Sequence, residues 1–298
     1  MKNPLGELEK NISNLTKSQK LVANYILKNP VKSAFLTISE ISDNAGVSTN
    51  STVRLVNEIG YSGYQNFKDD LQNIIKNKLS PTNKLENSFQ KFGNNNLLDK
   101  TFENSIYLLE YTYKMIDKEK IMKIIDKIKK ANKIFITGIK SGYPVAYYLY
   151  HGLNRAKGNC EIITEESLPE EKILEFTEQD LLFVISYPRY IESPINIAKQ
   201  AQIIGTSVIA ISDNYSSPIS KYSDIIIPVE ITSTSFHNSI ISGIFMVDII
   251  LTAFSFDNPK EVINRLKKIE NLYSDWDLLS EGNVVKTSRE KLEVLTNE

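Results

Sequence analysis

Five short apolar runs in the second half of the chain constrain its fold more than any other feature. They occupy residues 133–137, 161–164, 181–185, 207–211 and 225–229. Stretches with helical periodicity separate the first run from the second and the third from the fourth. Runs that are apolar on both faces and alternate with helices are typical of a parallel sheet covered on each side. The sequence therefore predicts an α/β domain built on a doubly wound parallel sheet of five strands.

The N-terminal part of the chain has a different pattern, in which a glycine separates two short helical stretches. Gly46 interrupts the apolar periodicity, and Ser48 stands where the second helix needs an N-cap whose hydroxyl accepts a backbone N–H. The apolar positions on either side are Ile38, Ile41 and Ala45 before the turn and Val53, Val56 and Ile59 after it. We therefore predict a helix-turn-helix within a separate all-α domain.

The start of the second helix carries short polar side chains that suit contacts with DNA. In a helix-turn-helix these positions meet base edges in the major groove, and neighbouring side chains bind phosphates. We predict DNA contacts at Lys17, Ser48, Thr49, Asn50, Ser51, Arg54, Tyr64 and Lys68. Residues 1–78 contain ten Lys or Arg and seven Asp or Glu, a small positive excess that favours DNA binding. The alternative is that the polar side chains only cap a helical bundle and the lysines lie on a solvated face.

Polar loops follow the first and third predicted strands. Their sequences are GIKSG at residues 138–142 and SYPRY at residues 186–190. Ligands bind beyond the carboxyl ends of such strands, where glycine admits backbone close to an anion, hydroxyls and helix amides donate hydrogen bonds, and Lys or Arg supplies charge. Together with the polar stretch TSTSFHN at residues 232–238, the predicted ligand-binding residues are Gly138, Lys140, Ser141, Gly142, Ser186, Tyr187, Arg189, Tyr190, Ser235 and His237. The glycine spacing fits neither G-x-G-x-x-G nor a P-loop, so we predict no cofactor.

Both halves carry motifs of one known family. In the N-terminal half the motifs are Ala45-Gly46-Val47-Ser48, Arg54, Gly60-Tyr61-Ser62-Gly63-Tyr64 and Phe67-Lys68. This half resembles the DNA-binding domain of the RpiR family of bacterial transcription regulators, although Asn57 and Glu58 stand where the family commonly has a second basic residue. Residues 133–254 resemble the sugar isomerase (SIS) domain, the usual second half of these regulators. The positions that carry this second resemblance include Gly138, Ser141, Gly142, Ser186, Ser212, Ser217, Pro218 and Asp224.

The resemblance implies a regulator that binds a double-stranded DNA operator and a phosphosugar or sugar-acid effector. It also implies that Ser141 and Ser186 lie near the phosphate of that effector. We accordingly divide the chain into a DNA-binding domain at 1–79, a polar linker at 80–100, an SIS-type domain at 101–273 and a C-terminal tail at 274–298.

The second loop departs from the family pattern at residues 188–191. Many SIS domains have Ser-Gly-x-Thr there, whereas this chain has Pro188, Arg189, Tyr190 and Ile191. We predict that Arg189 replaces the missing donors as a permanently charged clamp for a phosphate or carboxylate, and that Tyr190 packs beside a sugar face. The alternative for Arg189 is an ion pair with Glu192 or another surface acid.

A sugar-phosphate isomerase with an appended DNA-binding domain is the main alternative function. Such an enzyme needs a base and an acid in its pocket, and the candidates are His237, Glu165, Glu166 and Glu192. A third possibility is a binding module that lost its ligand through the change at residues 188–191. We predict a regulator with no catalytic residues, because the loops offer mainly hydroxyls and cations.

Composition excludes several other classes. Cys160 is the only cysteine, and His151 and His237 are the only histidines, so we predict neither an internal disulfide nor a metal site. No apolar run approaches the roughly 20 residues that span a bilayer, and a signal-peptide core is lacking, so we predict a cytoplasmic protein without a membrane partner. The broad apolar face at 239–254 predicts a homodimer or a dimer of dimers, whose symmetry would match paired operator half-sites.

Overall fold

The computed structural model describes residues 3–78, 80–93 and 96–276. Most of the predicted C-terminal tail, from residue 277 onward, lies outside the described residues. The N-terminal helices are α1 (Pro4–Asn11), α2 (Lys17–Lys28), α3 (Pro30–Phe35), α4 (Ile38–Ala45), α5 (Thr49–Glu58) and α6 (Tyr64–Lys78). They enclose a core of their own that includes Leu8, Val22, Ile26, Ile41, Leu55, Val56, Phe67 and Leu71.

Capping boxes fix the first residues of α2 and α4. At the start of α2, the Gln19 N–H donates to Thr16 Oγ1 at 3.4 Å, and Gln19 Oε1 accepts the Thr16 N–H at 2.9 Å. Thr37 and Glu40 form the same reciprocal pair at the start of α4. Each pair satisfies two backbone N–H groups that the start of a helix otherwise leaves unpaired, so the sequence sets where these helices begin.

The turn between α4 and α5 forms as predicted around Gly46. This glycine ends α4 with φ 68°, a left-handed conformation that residues with a Cβ rarely adopt. The hydroxyls of Ser42 in α4 and Thr52 in α5 lie 2.7 Å apart and are both buried, so they join the two helices inside the core. The structure thus has the helix-turn-helix geometry that the sequence predicts.

Two details of this region differ from the prediction. Ser48 occupies the N-cap position of α5, but its hydroxyl lies 3.1 Å from Ser51 Oγ and caps no backbone N–H. Val53 is 37% exposed, because the buried face of α5 runs through Thr52, Leu55 and Val56. Successive residues of an α-helix are rotated by about 100° around the helix axis, so Val53, which follows the buried Thr52, lies at the edge of that face.

The segment predicted as a polar linker is largely helical. Helix α7 spans Pro81–Phe92, and α8 spans Leu97–Lys114. Ser80 Oγ accepts the Asn83 N–H at 3.2 Å, Pro81 occupies the first helical position, and Gly93 follows the helix with φ 57°. These are the usual start and stop signals of a helix, and they prevail over a composition that is typical of loops.

The second half of the chain contains the predicted five-stranded parallel sheet. The strands are β1 (Ile134–Gly138), β2 (Cys160–Ile163), β3 (Leu181–Ser186), β4 (Ser207–Ser212) and β5 (Ile225–Pro228), in the order β2-β1-β3-β4-β5. The helices are α9 (Lys118–Lys130), α10 (Tyr143–Ala156), α11 (Pro169–Lys172), α12 (Glu192–Ile204), α13 (Ile241–Asp257) and α14 (Pro259–Asp275). The doubly wound α/β prediction is confirmed.

Helices cover the sheet on both faces and bury its side chains in two layers. Ile136 and Phe183 face the layer that α9, α10 and α13 cover, whereas Phe135 and Leu182 face the layer under α12. The chain adds β2 on one side of β1 and β3 on the other, so the order reverses between β1 and β3. A crevice forms at such a reversal beyond the carboxyl ends of the strands, and it positions the candidate site.

The apolar face of α13 is largely used within the chain. Met246, Val247, Ile250 and Phe254 are buried in the layer against the sheet. Ile241 and Phe245 on the same helix are only half-buried and lie outside this core, so the predicted subunit contact stays a prediction.

Across the described residues, no single helix combines the length and apolar character needed to cross a bilayer; taken together, α13 and the following helix through Ser274, bent by 104°, satisfy that test by length and composition only.

Candidate effector and DNA-binding sites

The first turns of α5 present a polar, exposed surface. Ser48, Thr49, Asn50 and Arg54 are exposed, and Ser51 is half-buried. Five of the residues predicted to contact DNA are thereby brought together, and none belongs to the core. Exposed hydroxyl, amide and guanidinium groups at the start of such a helix can reach base edges and phosphates.

The other predicted DNA contacts lie on different elements. Lys17 is exposed at the start of α2. The Tyr64 hydroxyl donates to the Leu36 carbonyl at 2.8 Å, and burial raises the pKa of Tyr64, so this hydroxyl holds α6 against the chain before α4 and is not free to donate to a phosphate. Lys68 is half-buried between Lys221 and Glu40, and burial lowers its pKa. The structure therefore gives Tyr64 a packing role in place of the predicted DNA contact.

A cavity of about 400 Å³ opens at the carboxyl ends of β1 and β3, where the strand order reverses. Six of the residues predicted to bind a ligand line it, namely Lys140, Ser141, Ser186, Tyr187, Arg189 and His237. The lining also includes Pro81 and Lys84 from α7, together with Phe236 and Asn238. The volume suits a small metabolite.

Two cationic residues of the cavity have left-handed backbone conformations. Lys140 has φ 52° and Arg189 has φ 76°. Residues other than glycine rarely adopt such angles, which cost of order 1 kcal/mol or more and persist only where the surroundings fix them. Both residues lie in the loops that directly follow the buried strands β1 and β3, and both side chains line the cavity.

Gly138 and Gly142 shape the first loop without lining the cavity. A Cβ at Gly138 would lie 2.7 Å from the Gly142 carbonyl oxygen, and a Cβ at Gly142 would lie 2.9 Å from the Ile185 carbonyl oxygen. The glycines thus allow the loop after β1 to pack directly on itself and on β3. Their role is close backbone packing, in place of the predicted direct approach to an anion.

Gly142→Ala is expected to lower thermal stability by several degrees. The added Cβ meets a backbone oxygen that cannot rotate away, and overpacking of this kind costs about 1–3 kcal/mol. Differential scanning fluorimetry measures the change. Gly63→Ala is the matched control, since a Cβ there has no neighbour within 4 Å. Equal melting temperatures for the two variants would contradict the packing role of Gly142.

Neither Tyr187 nor Tyr190 presents a free hydroxyl group to the cavity. Tyr187 borders the cavity, but its hydroxyl is buried beside Gly243 and has no hydrogen-bond partner in the part of the chain that the structure describes. Tyr190 lies outside the cavity lining and is buried. Its hydroxyl donates to the Asp213 carboxylate at 3.0 Å and 3.1 Å, and its ring packs edge-to-face on Phe35 of α3 at 5.2 Å. The prediction that Tyr190 packs beside a sugar is therefore wrong.

Tyr190→Phe is expected to destabilise the protein by about 1–3 kcal/mol, because it removes a donor from a buried carboxylate. Burial raises the pKa of Asp213, while the Tyr190 hydroxyl opposes that rise by stabilising the charged form. Loss of the hydroxyl raises this pKa further, so the cost is present above the pKa of Asp213 and shrinks as the pH falls through it. Thermal unfolding of both proteins at neutral and at mildly acidic pH tests the expectation, and a cost independent of pH would contradict it.

Phe236 and His237 form an exposed edge of the cavity. His237 lines the cavity and is exposed, with Nε2 at 3.4 Å from Ser233 Oγ and its ring edge-to-face with Phe236. Ser235 does not line the cavity, and its backbone N–H donates to Ser233 Oγ at 3.1 Å. Of these two predicted ligand-binding residues, the structure brings only His237 to the site.

Comparison with known proteins agrees with this architecture along most of the chain. Residues 2–78 match the model of the helix-turn-helix domain of the rpiR family, and residues 127–253 match the model of the SIS domain. The chain belongs to the RpiR family of transcriptional regulators. The resemblance inferred from the sequence motifs is thereby confirmed.

Relatives of this RpiR-family regulator match it over nearly their full length. An HTH-type transcriptional regulator of Thermotoga maritima is 24% identical over 266 residues, which are 87% of this chain and 94% of the relative. HexR, an HTH-type transcriptional regulator of Pseudomonas aeruginosa, is 24% identical over 277 residues, which are 91% of this chain and 95% of HexR. The helix-turn-helix makes DNA the partner of the regulator.

Solved structures share its fold. The Vibrio vulnificus NanR protein, solved in complex with ManNAc-6P, superposes with a TM-score of 0.66 at 21% identity and covers 94% of this chain and 100% of NanR. The sugar isomerase domain of an RpiR transcription factor from Sphaerobacter thermophilus gives a TM-score of 0.57 at 22% identity, over 59% of this chain and 98% of that domain.

The cavity of the regulator is strongly cationic. Lys84, Lys140 and Arg189 line it, and no carboxylate does so among the described residues. Glu165, Glu166 and Glu192, the acids that an isomerase could use, are absent from the lining. No acid within the described ranges lies within 4.0 Å of Arg189, so the alternative pairing with Glu192 is not found. The described residues also contain no cluster of metal ligands.

Lys84 is the cationic lining residue that the sequence prediction missed. It lies within the segment predicted as a linker, 154 positions from Asn238, which accepts a hydrogen bond from its ammonium group. The pair Ser80-Pro81 indicates the start of a helix, but nothing in the local sequence indicates that this helix contacts the sheet domain.

Proposed function

We propose that this regulator binds an operator in double-stranded DNA through α5 and a phosphosugar or related sugar acid in the cavity at β1 and β3. The observation that carries the proposal is the composition of that cavity, with three cationic side chains, two serine hydroxyls and no carboxylate among the described lining residues. Charge-assisted hydrogen bonds to phosphate or carboxylate oxygens are the interactions such a site favours. NanR, a protein of the same fold, was solved with a phosphosugar, which supports this ligand class.

Within this proposal the predicted division of the chain acquires a physical meaning. The domain at 1–79 reads DNA, the segment at 80–100 joins it to the domain at 101–273, and that domain senses the effector.

A homodimer or a dimer of dimers would present two copies of α5 to half-sites one helical turn apart. Large exposed apolar side chains on α8 and α10, such as Phe102, Tyr107 and Tyr147, support an association of subunits.

The same cavity argues against an isomerase. Isomerisation of a sugar phosphate requires a base and an acid that reach the sugar carbons, and His237 is the one lining residue in the described chain of a type that commonly serves in either role. The presence of His237 in the lining is therefore the observation that favours the enzyme. Turnover of an aldose phosphate to a ketose phosphate that His237→Ala abolishes would establish the enzyme, and we expect no turnover.

A thermal-shift screen followed by DNA binding tests the proposal. The compounds are glucose 6-phosphate, fructose 6-phosphate, N-acetylmannosamine 6-phosphate and 6-phosphogluconate. A ligand at about 100 times its Kd stabilises the folded protein by about 2.7 kcal/mol, which raises the melting temperature by several degrees. We expect at least one compound to do so and to change the affinity for DNA. If none of the four shifts the melting temperature or the DNA affinity, the proposed effector class is wrong.

A further inference from the structure

Lys84 reaches the cavity from an element outside the sheet domain. Helix α7 supplies it, and its ammonium group donates to Asn238 Oδ1. The Asn238 side-chain amide in turn donates to the Pro188 carbonyl at 3.3 Å. A chain of hydrogen bonds therefore runs from α7, through the loop before α13, to the loop that carries Arg189.

Helix α7 is also tied closely to the DNA-binding domain. It begins at Pro81, three residues after α6 ends at Lys78, and Ser80 caps it. Helix α6 contributes Phe67, Leu71 and Ile75 to the core beneath the helix-turn-helix. With so short a connection, the position of α7 over the cavity restricts the position of α6 and of the DNA-binding domain.

Within the described part of the chain, the hydrogen-bond partner of the Lys84 ammonium group is a neutral amide. No carboxylate lies within 4.0 Å of it among the residues that the structure describes, and Arg189 is a second cation at the same cavity. Burial and then repulsion by Arg189 lower the pKa of Lys84, and attraction to the more distant Asp213 carboxylate only partly opposes them. A phosphate or carboxylate oxygen carries a charge opposite to that of the ammonium group, so its hydrogen bond to Lys84 gains a Coulomb attraction that the neutral amide oxygen of Asn238 does not supply. An anion in the cavity would thus bind Lys84 more tightly than Asn238 does.

We propose that Lys84 binds the anionic effector and couples effector binding to the position of the DNA-binding domain. The inference rests on the proposed function, since it needs an anion in this cavity. An anion binds better to the arrangement in which α7 lies over the cavity with Lys84 inside than to arrangements in which Lys84 is withdrawn. That difference in affinity is the condition under which a ligand shifts a conformational equilibrium.

Two further contacts join the same parts of the molecule. Phe35 of α3 packs on Tyr190, which follows Arg189 directly, and Lys221 pairs with Glu40 of α4 at 3.2 Å. The arrangement that brings Lys84 into the cavity is therefore also the one in which α3 and α4 contact the sheet domain.

Lys84→Gln and Lys84→Arg test the inference in the full-length protein, with Lys123→Gln as the matched control. Lys123 is exposed on α9 and lies outside the cavity lining. The four compounds of the thermal-shift screen are the probes. Their Kd is measured by calorimetry, and the Kd for DNA is measured by fluorescence anisotropy with and without saturating probe.

We expect Lys84→Gln to weaken probe binding about 10-fold, which corresponds to about 1.4 kcal/mol. The ratio of the two DNA affinities should fall to within about 2-fold of unity, against the 5- to 150-fold typical of allosteric coupling. Lys84→Arg should keep most of that ratio, and Lys123→Gln all of it.

Three outcomes overturn the inference. Lys84→Gln with unchanged probe affinity removes Lys84 from the site. Weaker probe binding combined with an unchanged ratio at saturation makes Lys84 a binding residue without a coupling role. If the unaltered protein binds none of the four probes, the proposed function fails and this inference falls with it, a result that the screen reveals before any variant is made.

Discussion

Arg189→Ala is expected to weaken binding of a phosphosugar by about 10- to 100-fold. Hydrogen bonds from a charged donor contribute about 1.5–3 kcal/mol each in net terms, and the guanidinium group of Arg189 offers several donors in a fixed planar fork. Arg189 lines the cavity in the loop that lacks the Ser-Gly-x-Thr donors of other SIS domains, and no acid pairs with it among the described residues. Its charge is therefore available to a ligand.

The choice of variants separates charge from backbone effects. Alanine keeps the Cβ, so the left-handed conformation at φ 76° is as unfavourable in the variant as in the unaltered protein. Arg189→Lys retains the charge but not the fork, and we expect it to bind with intermediate affinity. Arg155→Ala is the matched control, because Arg155 lies on α10 and pairs with Glu270 at 3.5 Å, outside the cavity lining. Calorimetric affinities that are equal for Arg189→Ala and the unaltered protein would remove Arg189 from the site.

Arg54→Ala is expected to weaken binding to operator DNA by about 5- to 150-fold, which corresponds to about 1–3 kcal/mol. Arg54 is exposed on the polar side of α5 and pairs with no acid within the described residues, so its charge is free for a phosphate or a base edge. Since Asn57 and Glu58 supply no second cation on this helix, the loss of Arg54 removes the main positive charge of α5.

Fluorescence anisotropy at several salt concentrations measures this effect. If Arg54 contacts a phosphate, the slope of log affinity against log salt becomes shallower by about one unit. Lys123→Ala removes an exposed cation from the sheet domain and should leave both affinity and slope unchanged. An Arg54→Ala protein that binds operator DNA with full affinity would exclude α5 as the DNA-reading helix in the orientation described.

The fold could be predicted because its determinants are local. The five strands begin and end within one residue of the predicted runs, since strands buried on both faces leave continuous apolar stretches such as that of β3. Gly46 likewise marks the turn between α4 and α5, because its left-handed φ favours glycine.

The parts that escaped prediction depend on distant contacts or on loop conformation. Lys84 owes its place in the cavity to Asn238, far along the chain, and the polar sequence of α7 gives no sign of this contact. The orientation of the Tyr190 side chain depends on the positive φ values of its loop and on its hydrogen bond to Asp213. Asp213 is itself buried and also accepts hydrogen bonds from Ser212 and Asn214. The sequence motifs identified which loops meet at the cavity, but not which way their aromatic side chains point.

A titration of promoter DNA with the full-length protein, with and without a saturating phosphosugar from the screen, tests the central claim most directly. We expect an affinity for DNA whose logarithm falls linearly with the logarithm of the salt concentration, and a change in that affinity of about 5- to 150-fold when the phosphosugar is present. Affinity for DNA that does not respond to salt, or a phosphosugar that binds tightly and leaves the DNA affinity unchanged, would contradict it.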